Sequence, residues 1–152
     1  MKAALGPVAL IAFAVACSGV NSQTNAFATL AEARQAGAIA QGWIPDGLPS
    51  SSHDIREAHL PGTRQRWGII NFSQAEADTL RALLNADEIS LDGQRADAPG
   101  RIEWWPIVLR GDLQGDRIAA TGIRGYRSKD GELLFAVNWN QGRAYYWTPP
   151  AS

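Results

Sequence analysis

The chain has 152 residues, 14 Lys and Arg against 15 Asp and Glu, a formal net charge of −1, and 45% hydrophobic residues. That length provides one domain with one core, and the composition is that of a globular protein. Near-neutral charge gives no electrostatic ground for nucleic-acid binding, and a single cysteine excludes both an internal disulfide framework and a Cys-rich zinc site.

Residues 1–16 combine Lys2, an apolar run from Val8 to Ala16 and a small-residue ending, Ala14-Val15-Ala16. This is the pattern of a signal peptide, and it is shorter than the roughly 20 apolar residues that span a membrane. Cys17 follows directly. Ala14-Val15-Ala16-Cys17 resembles the lipobox of bacterial lipoproteins, in which the cysteine is lipidated and becomes the new N-terminus. Ala14 stands where Leu is usual, and the same Ala-x-Ala also suits ordinary signal peptidase, which releases a soluble chain with a free thiol. By the same resemblance, Ser18 implies the periplasmic face of the outer membrane, with the soluble periplasm as the alternative.

Ser18 to Asn25 is small and polar, the composition of a tether. The expected organisation is therefore a signal peptide over 1–16, a lipidated cysteine and tether over 17–26, and one folded domain over 27–152. Thr29 with Glu32 forms a capping box that opens a helix from Leu30 to Gln41, with Leu30, Ala33, Gly37 and Ala40 facing inward. Pro45 and Pro49 then impose an irregular path. Asp54–Leu60 and Gln65–Phe72 read as a hairpin turning at Pro61-Gly62. Ser73 with Glu76 makes a second capping box, for a helix from Gln74 to Asn85. Residues 92–100 are loop by composition, and the stretch around Trp104-Trp105-Pro106 fits either strand or short helix. Arg117–Arg127, Glu132–Trp139 and Arg143–Trp147 read as strands separated by turns at Ser128–Gly131 and Asn140–Gly142. Leu133, Phe135, Val137 and Trp139 alternate, which predicts one buried face. The expected fold is α+β: an antiparallel sheet of about five strands with two helices packed on one face.

Trp43-Ile44-Pro45-Asp46-Gly47-Leu48-Pro49, with Asp54-Ile55 after it and the closing run Ala144-Tyr145-Tyr146-Trp147, resembles a family of small bacterial lipoproteins of no assigned activity. That family carries a Trp-x-Pro-x-x-Leu-Pro segment soon after its signal. The resemblance implies envelope placement and supplies no catalytic residue, ligand or cofactor.

Ser50-Ser51-Ser52-His53-Asp54 brings triad residue types together, but a triad is a spatial arrangement and no Gly-x-Ser-x-Gly elbow is present. A polar loop entering a strand accounts for it. His53, Glu57 and His59 would share one face of a regular strand with Asp54 beside them, yet the spacing is not that of a His-Glu-x-x-His zinc helix. The carboxylate pairs Asp112/Asp116 and Asp87/Glu88 sit in turns or at a helix end, and Gly111–Asp116 lacks the Lys and Ser/Thr of a phosphate loop. No catalytic, cofactor or metal residue is assigned.

Six tryptophans and three tyrosines exceed this bland background. Most belong in a core. Trp104/Trp105 and Tyr145/Tyr146 are adjacent pairs, and neighbours in an extended stretch point to opposite faces. These four are the candidate partner-binding residues. The resulting expectation is a lipid-anchored, non-enzymatic envelope module that contacts the membrane through its N-terminal lipid, binds an envelope protein or glycan, and takes no cofactor and no nucleic acid. A small periplasmic hydrolase of cell-wall or sugar substrates and an inhibitor or immunity-type protein are the alternatives.

Overall fold

A computed structural model describes residues 21–151. Strand β1 (Gln23–Thr29) runs into a short helix, α1 (Leu30–Gln35), and β2 (His53–His59) and β3 (Arg66–Asn71) follow as a hairpin. A 3-10 turn at Gln74–Glu76 leads into α2 (Ala77–Arg81). A long connection then carries a second 3-10 turn at Ile107–Leu109 and α3 (Gly115–Ala120). The chain closes on β4 (Arg124–Arg127), β5 (Leu134–Asn138) and β6 (Arg143–Trp147). All six strands form one antiparallel sheet in the order β1-β2-β3-β6-β5-β4, so two three-stranded meanders meet where β3 pairs with β6.

The expected α+β fold, about five strands with two helices on one face, is thereby corrected to a mainly β domain. Its helices are at most six residues long. Three local causes account for the difference. Gly37, at φ +79°, ends α1 early: the Ala38 N–H bonds the Ala33 carbonyl and the Gly37 N–H bonds the Arg34 carbonyl, each at 3.0 Å. This is a Schellman cap, with the glycine serving as a stop rather than as part of an inner stripe. The second capping box does not close. Ser73 Oγ accepts from the Ala75 N–H at 3.3 Å, but the Glu76 carboxylate takes the Ser50 hydroxyl at 2.6 Å and the Ser51 N–H at 2.8 Å. Finally, residues 23–26, expected as tether, pair with His59–Arg56 and supply a sixth strand. The predicted strand Arg117–Arg127 also begins as α3, and only its last four residues join the sheet.

Both faces of the sheet are covered. Leu30, Ala33, Ala38, Ile44 and Leu48, with Leu80 and Leu84, pack on Ile55, Ile70, Phe135, Val137 and Tyr146. On the other side the long connection brings Leu91, Ile102, Trp105, Leu109, Leu113 and Ile118 onto Ala58, Trp67, Leu134, Ala136 and Trp147. Strand β5 is buried along its whole length rather than on one face. Among the described residues, no helix is long and apolar enough to cross a membrane.

Gly68 lies opposite Tyr146 in the central β3–β6 ladder, and an added Cβ would collide with the Tyr146 ring. Gly68→Ala therefore destabilises by about 1–3 kcal/mol through overpacking, measured as a lower urea midpoint. Hydrogen bonds, first from the Ser50 hydroxyl and then from Ser51, hold the Glu76 carboxyl below the usual carboxylate range. A depressed folded pKa contributes stability above the unfolded value, and that contribution is lost as pH falls through the folded value. Glu76→Gln should thus show a shallower loss of stability on acidification than the parent, checked by denaturation midpoints from neutral to acid pH.

Candidate functional site

The long connection leaves one end of the second sheet face uncovered, where β2, β3 and β6 run side by side. Cross-strand register aligns Arg56, Ile69 and Tyr145 in one row and Asn71 with Arg143 in the next. One extra residue in β2, between His53 and Arg56, forms a bulge with Asp54 at φ +45°. A bulge re-aims the side chains around it, and Asp54 joins the same rim. Trp104 stands as the wall. The groove these residues line has a volume of about 370 Å³, within the range of small-ligand sites.

The wall is held from behind. Trp105 is buried, donates its indole N–H to the Leu109 carbonyl at 2.8 Å, and meets Tyr145 and Trp147 edge-on at 5.7 and 5.9 Å. Trp104 rests edge-on against Trp105, with ring centroids 6.1 Å apart. The Arg110 guanidinium donates to the carbonyls of Pro99, Ile102 and Trp105, tying the loop into one piece. Four indole N–H groups are engaged within the protein: Trp67 with Ala96, Trp105 with Leu109, Trp139 with Tyr126 and Trp147 with Arg95. The Trp104 N–H bonds no described residue.

Charge and hydrogen bonding in the groove are unbalanced. Arg143 Nε donates to Asn71 Oδ1 at 2.9 Å, which orients the guanidinium. Among the described residues neither Arg56 nor Arg143 forms an ion pair, and the Tyr145 hydroxyl has no partner. Asp54 is the one carboxylate in the lining. The site offers converging donors and an aromatic wall over an apolar floor of Ile69 and Tyr145.

Of the four aromatic residues expected to contact a partner, the groove unites Trp104 and Tyr145. Trp105 and Tyr146 are buried at 2% and 0% exposure and are inaccessible to a partner. Each pair thus brings one residue to the groove: Trp104 is half-buried, and Tyr145 keeps only 8% exposure because the loop packs over its strand. Tyr146 points into the first face, donates its hydroxyl to the Trp43 carbonyl at 2.9 Å, and has its phenol pushed far above the usual range by burial. Arg56, Asn71 and Arg143 are not singled out by the sequence. Arg143 is two residues from Tyr145 and so shares its face, but the strand order that adds Arg56 and Asn71 is not written in local pattern.

The other sequence candidates lie elsewhere. Glu57 and His59 are buried side by side, with His59 Nδ1 2.9 Å from Glu57 Oε2 and the imidazole stacked on Trp43 at 4.1 Å. His53 is exposed beyond the bulge, its Nδ1 3.0 Å from the Ser51 carbonyl oxygen. Ser52 is buried and bonds the Pro49 carbonyl, so the serine run serves the loop. Asp112 pairs with Arg95 at 2.7 Å. A larger hollow of about 600 Å³ involves Glu88, Asp92 and Asp116, where Asp92 is occupied by the Gly115 N–H and Glu88 faces Arg124. Cys17 and the signal-like segment lie outside the described residues.

Residues 21–69 match the YbbD head domain, a bacterial family. The match covers β1, α1, β2 and most of β3, which is 49 of 152 residues counted from its limits. It includes Asp54, Arg56 and Ile69 of the groove, while Asn71, Trp104, Arg143 and Tyr145 lie beyond it. No curated protein and no solved structure matches the chain.

Arg110→Ala removes three charge-assisted contacts from the loop behind Trp104. It should cost about 2 kcal/mol and leave Trp104 more open to water, read as a lower thermal midpoint with increased quenching of tryptophan fluorescence by acrylamide.

Proposed function

We propose that the chain is a non-enzymatic binding module of the bacterial envelope, held at the periplasmic face of the outer membrane by lipid on Cys17, and that it takes a glycan or protein partner in the groove beside Trp104. The observation that carries this reading is the convergence of unpaired donors from Arg56, Arg143, Tyr145 and Trp104 on one open, aromatic-walled surface. The Arg56 guanidinium, the terminal nitrogens of Arg143, the Tyr145 hydroxyl and the Trp104 N–H bond no described residue, which leaves them available to a ligand. The bacterial family match supports the bacterial setting. The signal-like segment, Cys17 and the resemblance to small lipoproteins support the anchor. A glycosidase works with a pair of carboxyl groups flanking the bond it breaks, and Asp54 is the single carboxylate in the lining. Binding is the chemistry that this set of side chains performs.

Two measurements test the proposal. Intact mass of the membrane fraction should show acyl mass on the parent chain that Cys17→Ser lacks. A photo-crosslinking amino acid placed at position 104 should capture envelope material, while the same group at exposed Thr79, on α2, should not. An unmodified soluble chain would overturn the anchor, and equal or absent capture at both positions would overturn the groove.

A further inference from the structure

The free groups of the groove also limit what it can hold. We infer that its ligand is a sugar carrying a carboxylate, with the ring face against Trp104 and the acid taken by Arg143 and Arg56. This rests on the binding reading above and narrows it to one chemical class.

Hydrogen-bond balance comes first. Arg143 has committed only Nε, to Asn71 at 2.9 Å. Its terminal nitrogens, the Arg56 guanidinium and the Tyr145 hydroxyl bond no described residue, and one acceptor, Asp54, stands against them. A guanidinium is a planar fork that fits the two oxygens of a carboxylate. The ligand must bring an anion and more acceptors than donors.

Shape adds a second constraint. Arg56 and Arg143 lie two strands apart and one face-sharing row apart, which ideal sheet spacing converts to about 12 Å between Cα atoms. Their long side chains flank Ile69 and Tyr145, with Trp104 alongside. A polar rim around an apolar and aromatic centre suits a pyranose, whose C–H face is apolar and whose edge carries oxygens. A purely apolar ligand would cover the guanidinium groups without pairing them, at a desolvation cost. Inorganic phosphate would fill the rim and leave the aromatic wall unused.

Asp54 decides between anions. Its carboxylate sits on the same rim because the bulge places it there, and it repels a compact dianion. It accepts readily from sugar hydroxyls. A singly charged sugar acid satisfies Asp54 and both arginines together. Two sources share this chemistry: a uronate unit of a polysaccharide, and an amino sugar bearing a lactyl acid.

The full chain, as Cys17→Ser, is titrated with a galacturonate trisaccharide, with its fully methyl-esterified form and with N-acetylmuramic acid, followed by tryptophan fluorescence and amide NMR shifts. One of the two acids should bind, and which one identifies the source. Arg143→Gln and Arg56→Gln should each weaken it about tenfold, the loss expected for one charged hydrogen bond, with thermal midpoints held. Trp104→Ala should abolish the fluorescence change. Equal binding of the methyl ester would overturn the acid requirement while leaving glycan binding in place. If no sugar binds but position 104 still captures envelope protein, the sugar inference falls and the binding module stands. Failure of both would remove both.

Discussion

The domain depends on the pairing of β3 with β6. Each half of the sheet is a local meander, and this ladder is what joins them, across more than 70 residues of sequence. It places Trp67 opposite Trp147 and Ile69 opposite Tyr145 on one face, and Gly68 opposite Tyr146 on the other. The empty side of Gly68 admits the Tyr146 ring, which in turn reaches the Trp43 carbonyl and fixes the segment covering that face. Period-two alternation then sends Arg143 and Tyr145 to the groove. The same ladder thus supports the core on one side and assembles the candidate site on the other.

Edge strand β1 is attached by a different kind of interaction. Its Asn25 amide donates to Glu57, whose carboxylate also meets His59, and His59 stacks on Trp43. A buried charge of this type contributes little net stability when paired, yet its loss of a partner is costly. Such a device discriminates between registers: sliding β1 by one residue would turn Asn25 away from Glu57 and leave His59 as the partner of the buried carboxylate. The polar composition of residues 23–26, which on its own suggests a tether, is the composition this docking uses.

Strands that announce themselves by alternation and by bounding turns are legible in the sequence alone. Arg143–Trp147 coincides with β6, and the hairpin of β2 and β3 falls within a residue or two of its expected limits. Helix lengths are not legible, because capping boxes mark where a helix starts, whereas its length depends on competitors. Glu76 finds a better partner in the Ser50–Ser51 loop, and Gly37 adopts a positive φ that an inner helical position forbids. The candidate site is half legible. Trp104 and Tyr145 stand out by residue type, but the arginines are ordinary surface residues until strand order brings Arg56 and Arg143 to neighbouring rows. Which member of each adjacent pair reaches the groove is not legible, because that depends on how the loop and β6 pack: Trp105 and Tyr146 turn into the two cores.

The two margins of the sheet are unequal. Beyond β4 the backbone of the connection closes the ladder: the Asn85 N–H bonds the Arg127 carbonyl and the Ile89 N–H bonds the Gly125 carbonyl, both at 2.9 Å. Nothing can be added there without first stripping those contacts away. Continuation of the sheet by another molecule is therefore confined to the β1 margin. Two molecules meeting through that margin would use identical surfaces about a twofold axis, and the result has no second growing end. The fold thus carries its own terminator against open-ended β-stacking, supplied by the connection that also builds the wall of the groove.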